Sequence, residues 1–278
     1  MAKKKKRGTL IGGVILFFKI IWFILKIPYH IVRRLIIAVK WLNRAVKWYL
    51  GKYKEVHKIT IRSKINAVYE EMTVAKTIKG KYEKWLNELF RSDSKIGIII
   101  GARGSGKTAF GVKILEEIYS KTKRKCYAMG FNKDEMPLWI NVIENISELT
   151  NNSFVLIDEG GILFSSRNAM TNINKLLTEL MLVARHKNIS ILFISQNSSN
   201  LDVNILRQAD YLVLKQSSLL QKDFERKIVQ KTYDDVEEDF NKYKRKKGIT
   251  YIHSNEFKGF VINPLPSFWN NNISKSFR

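Results

Sequence analysis

A chain of 278 residues has room for one ordinary domain, at ~100 to 200 residues each, and an appendage of about 90. Its single cysteine, Cys126, excludes an intramolecular disulfide scaffold and fits a reducing compartment, where a lone thiol reads as a small buried apolar residue. The formal charge of +24 attracts phosphate, in anionic lipid or in nucleic acid, and it is uneven: residues 1–94 hold 22 Lys and Arg against 6 Asp and Glu, residues 95–278 hold 27 against 19.

The first 54 residues read as a basic, apolar helical segment. Lys19, Lys26, Arg33, Lys40 and Lys47 recur every seven residues, and at 100° per residue they fall on one arc with His30, Arg34 and Arg44, leaving a wide apolar side. Leu10 to Ile27 is long enough to approach the ~30 Å hydrocarbon thickness, with Lys26 free to snorkel. Cations on both flanks leave no orientation under the positive-inside rule. A span, a hairpin bent at Pro28 and a helix lying in an anionic interface therefore stay open, as does packing on protein or DNA. All but the last put residues 8–50 in a membrane. Lysines interrupt the apolar run and no small-residue cleavage site follows, so a cleavable secretory signal is not expected. Residues 55–93, containing "VYEEMTVAKTIKGKYEKWLNELF", space their apolar positions by three and four and read as a helical linker with a solvated charged face.

The chemistry begins in residues 94–278. Ile96 to Ile100 is a short apolar run suited to a buried parallel strand, and it delivers "GARGSGKT", that is Gly101, Ala102, Arg103, Gly104, Ser105, Gly106, Lys107 and Thr108, in P-loop spacing before a helical pattern. Glycines let successive backbone N–H groups face phosphates, Lys107 reaches the β and γ oxygens of ATP, and the Thr108 hydroxyl binds Mg²⁺. About fifty residues on, "SFVLIDEG" is an apolar strand ending in Asp158, suited to the Mg²⁺ shell, and Glu159, suited to polarising an attacking water. Ile189 to Ser195 reads as a further buried strand that delivers Gln196 to the same edge, where an amide can sense a γ-phosphate. The chemistry is ATP hydrolysis to ADP and phosphate, on an α/β fold with a mainly parallel sheet. Ile249 to His253 and Gly259 to Val261 read as small strands closing that sheet.

The succession "GARGSGKT", "FVLIDE", "ARHKNISILFISQ" and "LRQADYLVLKQSSLLQKDFERK", over residues 95 to 230, resembles the FtsK–HerA superfamily of P-loop ATPases. Viral genome-packaging ATPases and the zonula occludens toxin-like assembly proteins of filamentous phages are nearest in appearance. The resemblance implies a RecA-like core, a homo-oligomeric ring, and force applied to DNA or to an emerging virion. In such rings an arginine from the neighbouring subunit neutralises the transferring phosphoryl group. Arg185 is the first candidate, with Arg167 and Arg226 behind it, while His186 reads as surface or packing. No base-reading module follows the core, so any DNA contact is expected to be non-sequence-specific. Two readings follow: a membrane-bound motor translocating or packaging DNA, or an assembly or secretion ATPase acting on a protein coat. Either places the ATPase domain on the cytoplasmic side of a membrane, in a host cell or in the virion of a virus or mobile element.

Overall fold

A computed structural model describes residues 3–91, 94–165 and 169–273. The chain divides into two units, Met1–Thr60 and Ile61–Arg278. The first is helical, formed by α1 (Lys3–Ser63), which runs across position 28 without forming a hairpin. Its aromatic residues Phe17, Phe18, Trp22 and Phe23 are exposed, and the Lys26 ammonium sits 3.3 Å from the centre of the Trp22 ring. Among the described residues this is the one helix long and apolar enough to cross a membrane, by length and composition.

The second unit is a nine-stranded sheet among the described residues. Its strands are β1 (Thr73–Gly80), β2 (Ile96–Ile100), β3 (Lys125–Met129), β4 (Ile140–Ile143), β5 (Ser153–Asp158), β6 (Ser190–Ile194), β7 (Tyr211–Leu214), β8 (Ile249–Ser254) and β9 (Phe257–Ile262). They lie in the order β1-β9-β8-β7-β2-β6-β5-β3-β4. The six from β7 to β4 are parallel, and β8, β9 and β1 close one side antiparallel. β2, β5 and β6 are buried along their whole length, which is why they read as unbroken apolar runs.

Helices cover both faces. α2 (Tyr82–Arg91) and α3 (Lys107–Thr122) bury Trp85, Leu89, Phe110 and Leu115 against one face. On the other, α5 (Ala169–Lys187) and α8 (Lys227–Tyr243) bury Leu180, Ala184, Tyr233 and Phe240, with α8 placing Val229, Tyr233, Val236 and Phe240 at helical spacing. The 55–93 stretch differs from its reading as a helical linker. It holds the end of α1, then β1 paired to β9, then α2. β1 is an edge strand exposed at nearly every position, so no apolar alternation marks it, and Lys76 and Lys79 keep that edge from further pairing.

Candidate nucleotide-binding site

β6 lies between β2 and β5, with Ile194 level with both Ile99 and Asp158. The P-loop after β2, the acidic pair at the end of β5 and Gln196 after β6 therefore leave one edge of the sheet together. Gly106, the residue before α3, has φ 90°, a left-handed backbone that a side chain disfavours. Gly101 is needed for space, because a Cβ there would lie 2.6 Å from Lys215 Cβ. Arg103 and Gly104 are exposed at the loop's tip.

Lys107 is buried and folds back over its own loop, donating to the carbonyls of Gly101 (2.7 Å) and Ala102 (3.1 Å). Burial lowers its pKa, against the opposing pull of Asp158, Glu159 and Glu225. Those carbonyl bonds are ones that phosphate oxygens can replace. The Thr108 hydroxyl donates to Asp158 Oδ2 at 3.0 Å, and the Gly160 N–H donates to Oδ1 at 3.1 Å. Burial nevertheless pushes the Asp158 carboxyl up to about 6. A desolvated carboxylate beside a hydroxyl fits Mg²⁺, which is commonly held by one or two protein oxygens plus substrate phosphates. Thr108 and Asp158 would hold the ion, which when bound offsets charge on phosphate oxygens. Among the described residues no cluster of three or more His, Cys, Asp or Glu could hold a metal by itself.

Glu159 opens α4 (Glu159–Ser165) and is buried. Both of its oxygens are engaged: Oε2 accepts from Ser195 Oγ (2.6 Å) and from the Gln196 N–H (2.9 Å), and Oε1 accepts from Asn200 Nδ2 (3.1 Å). In this arrangement Glu159 braces the end of β6. Oε1 has a single donor, so it is the oxygen that keeps an acceptor site for a water. Gln196 is exposed, and its Nε2 would lie 3.8 Å from a Cβ built at Gly160, which puts the amide beside the acidic pair.

The loop after β6 is tied into this network through Glu225 and Gln221, neither of which stood out in the sequence. Glu225 accepts from the Ser198 N–H (2.6 Å) and from Gln221 Nε2 (2.8 Å), and the same Gln221 amide donates to the Gln196 carbonyl (2.7 Å). Arg226 donates to the carbonyls of Ser198 (3.0 Å) and Leu201, so it is occupied within its own chain. Arg185 and His186, in the last turn of α5, are exposed. Arg167 lies outside the described residues. Cys126 is buried and its thiol is pushed up to about 12 by burial, as an inert packing residue should be.

A P-loop lysine and hydroxyl, an Asp-Glu pair and a strand-end amide at one sheet edge make this a P-loop NTPase site. Residues 130–252 match the zonular occludens toxin (Zot) family. The Zot match begins after the P-loop and contains Asp158, Glu159, Arg185 and Gln196. It is in keeping with the resemblance to the FtsK–HerA superfamily. No curated protein matches the chain. Solved structures similar to it include the DNA-packaging ATPase from Sulfolobus Turreted Icosahedral Virus, at 13% identity and TM-score 0.41, over 63% of this chain and 100% of that one. The genome packaging NTPase from Sulfolobus turreted icosahedral virus 2 in complex with ATP-gammaS is 14% identical, with TM-score 0.42, over 63% and 99%. The pCW3 conjugation coupling protein TcpA with ATPgS is 12% identical, with TM-score 0.45, over 78% and 76%.

Proposed function

We propose that this chain is a membrane-associated, ATP-hydrolysing motor that translocates or packages DNA. The observation that carries the reading is the convergence of Lys107, Thr108, Asp158, Glu159 and Gln196 at one sheet edge. Lys107 reaches the β- and γ-phosphates, Glu159 orients and deprotonates the attacking water through Oε1, and Gln196 senses the γ-phosphate. The loop that follows Gln196 then passes the signal to α8 through Glu225 and Arg226. Exposed Arg185 supplies the transition-state cation to a neighbouring copy in a ring.

The exposed apolar side of α1 and its basic arc support insertion into, or binding on, a membrane through residues 8–50, with the ATPase domain on the cytoplasmic side. The excess of positive charge in residues 95–278 supports contact with DNA phosphates without base readout. A second reading, a motor acting on a coat or secreted protein, is favoured by one feature. Leu220 and Phe224 of α7 (Leu219–Phe224) and Ile228 of α8 are all exposed, and Gln221 links the same helix to Gln196.

ATPase rates of the full-length chain on anionic liposomes, with and without double-stranded DNA of two unrelated sequences, separate the two. The DNA motor predicts stimulation that is indifferent to sequence and lost as salt rises, with a log–log slope of about −0.9 per duplex phosphate neutralised. No stimulation at low salt, with clear stimulation by a coat protein from the same element, would establish the second reading instead.

A further inference from the structure

A cavity of about 490 Å³ adjoins the P-loop on the side away from Asp158, within the ~300–1,000 Å³ range of small-molecule sites. Ser105, Gly106 and Ala109 form one wall and Leu265 part of another. The buried Ser105 Oγ has no hydrogen-bond partner among the described residues, so a partner from a bound ligand or water would satisfy it. Lys215 contributes to the lining, with its Nζ 4.0 Å from a Cβ built at Gly106. Its partners are neutral oxygens, Thr250 Oγ1 and Asn263 Oδ1 (2.7 Å) among them, with no carboxylate.

A further wall comes from the segment between α1 and β1, which brings Glu70 and Glu71 to the cavity, and Lys247 lines it from the turn before β8. That segment is clipped to α3, the helix that starts at the P-loop lysine. The Val68 N–H donates to Glu116 Oε1 (3.2 Å) and the Glu70 N–H to Glu117 Oε1 (3.1 Å). Both carboxylates are held by the buried Lys113 ammonium, at 3.0 and 2.8 Å. The Glu70 and Glu71 carboxylates are acceptors, suited to hydroxyl and amino donors.

We propose that this cavity takes the nucleoside half of a P-loop-bound nucleoside triphosphate, with Glu70 and Glu71 accepting from its ribose hydroxyls or exocyclic amine. The inference rests on the nucleotide-binding reading above. It adds that the segment leading out of the N-terminal helix touches the ligand, so that nucleotide occupancy and the placement of that segment are linked.

The test uses the full-length chain with Mg²⁺ and two probes, ATP and inorganic tripolyphosphate, which share the phosphates and differ in the nucleoside. Calorimetry should find ATP at least tenfold tighter. Leu265→Trp, at an exposed position where folding is not at risk, should weaken ATP at least tenfold and leave tripolyphosphate unchanged. Glu70→Gln with Glu71→Gln should weaken ATP about threefold or more, again with no change for tripolyphosphate. Equal affinity of the two probes, or equal loss of both in Leu265→Trp, would overturn the nucleoside assignment and leave the P-loop reading standing. Failure of both probes to bind the wild-type chain would overturn the P-loop reading, and this inference with it.

Discussion

Lys113→Met is the most informative change outside the site. Lys113, Glu116 and Glu117 are buried, and the lysine bridges both carboxylates at 3.0 and 2.8 Å. Removing the ammonium leaves two adjacent carboxylates out of contact with water. Glu116 keeps the Val68 N–H and the Ser267 N–H and hydroxyl as donors, whereas Glu117 keeps only the Glu70 N–H, its Oε2 being unpaired. Breaking such a buried pair typically costs ~3–5 kcal/mol, well above the ~1 kcal/mol of a neutral hydrogen bond. At ~2–4 °C per kcal/mol for a domain of this size, the midpoint of thermal unfolding should fall by roughly 6–20 °C. Near-UV circular dichroism of the full-length chain reads this. Because the cost comes from uncompensated charge, the triple change Lys113→Met, Glu116→Gln, Glu117→Gln should recover at least half of it, and acid should narrow the gap between Lys113→Met and wild type. A loss below about 1 kcal/mol, or a triple variant worse than the single one, would refute the charge argument.

Two further predictions concern groups around the P-loop. Asn200→Ala removes the donor on Glu159 Oε1, and if that contact restrains the base, basal ATP turnover should rise by up to about tenfold for a ~1.5 kcal/mol bond; unchanged or reduced turnover would argue against restraint. Burial lowers Lys215 from its ordinary 10.5 to about 7, so between those values the unfolded chain binds the extra proton and stability gains with rising pH. The full cost of the charged form, on the order of 5 kcal/mol, is present below pH 7, and urea unfolding should show Lys215→Met lacking this dependence relative to wild type across pH 7–10.

What the sequence discloses here follows from what burial does to composition. β2, β5 and β6 are covered on both faces, so each is an apolar run ending in chemistry, and Gly101, Thr108, Asp158, Glu159 and Gln196 could be placed from spacing. β1 escaped because an edge strand exposed along nearly all its length carries no apolar alternation, and the helical spacing in the same stretch belongs to α2. Lys113, Glu116 and Glu117 have the i, i+3, i+4 pattern of an ordinary solvated helix face, and only the covering by residues 68–70 and Ser267 turns them into a buried clip. Lys215 follows an apolar strand in sequence, which hints at burial, but its partners, Thr250 in β8 and Asn263 just after β9, lie 35 and 48 residues further along the chain. The Asn200 contact to Glu159 was equally hidden, since Asn200 lies 41 residues away and is brought back by the short turn Ser198–Asn200.

If Glu159 is the base of an ATPase whose nucleotide is held by the P-loop, Glu159→Gln should separate binding from chemistry. The amide can still take part in hydrogen bonds at the end of β6 but cannot accept a proton, so the variant should bind ATP with Mg²⁺ at near wild-type affinity. Its single-turnover hydrolysis should fall by roughly 10²–10⁴, the usual contribution of a positioned general base. Hydrolysis within a few-fold of wild type, with binding intact, would remove Glu159 from the base role.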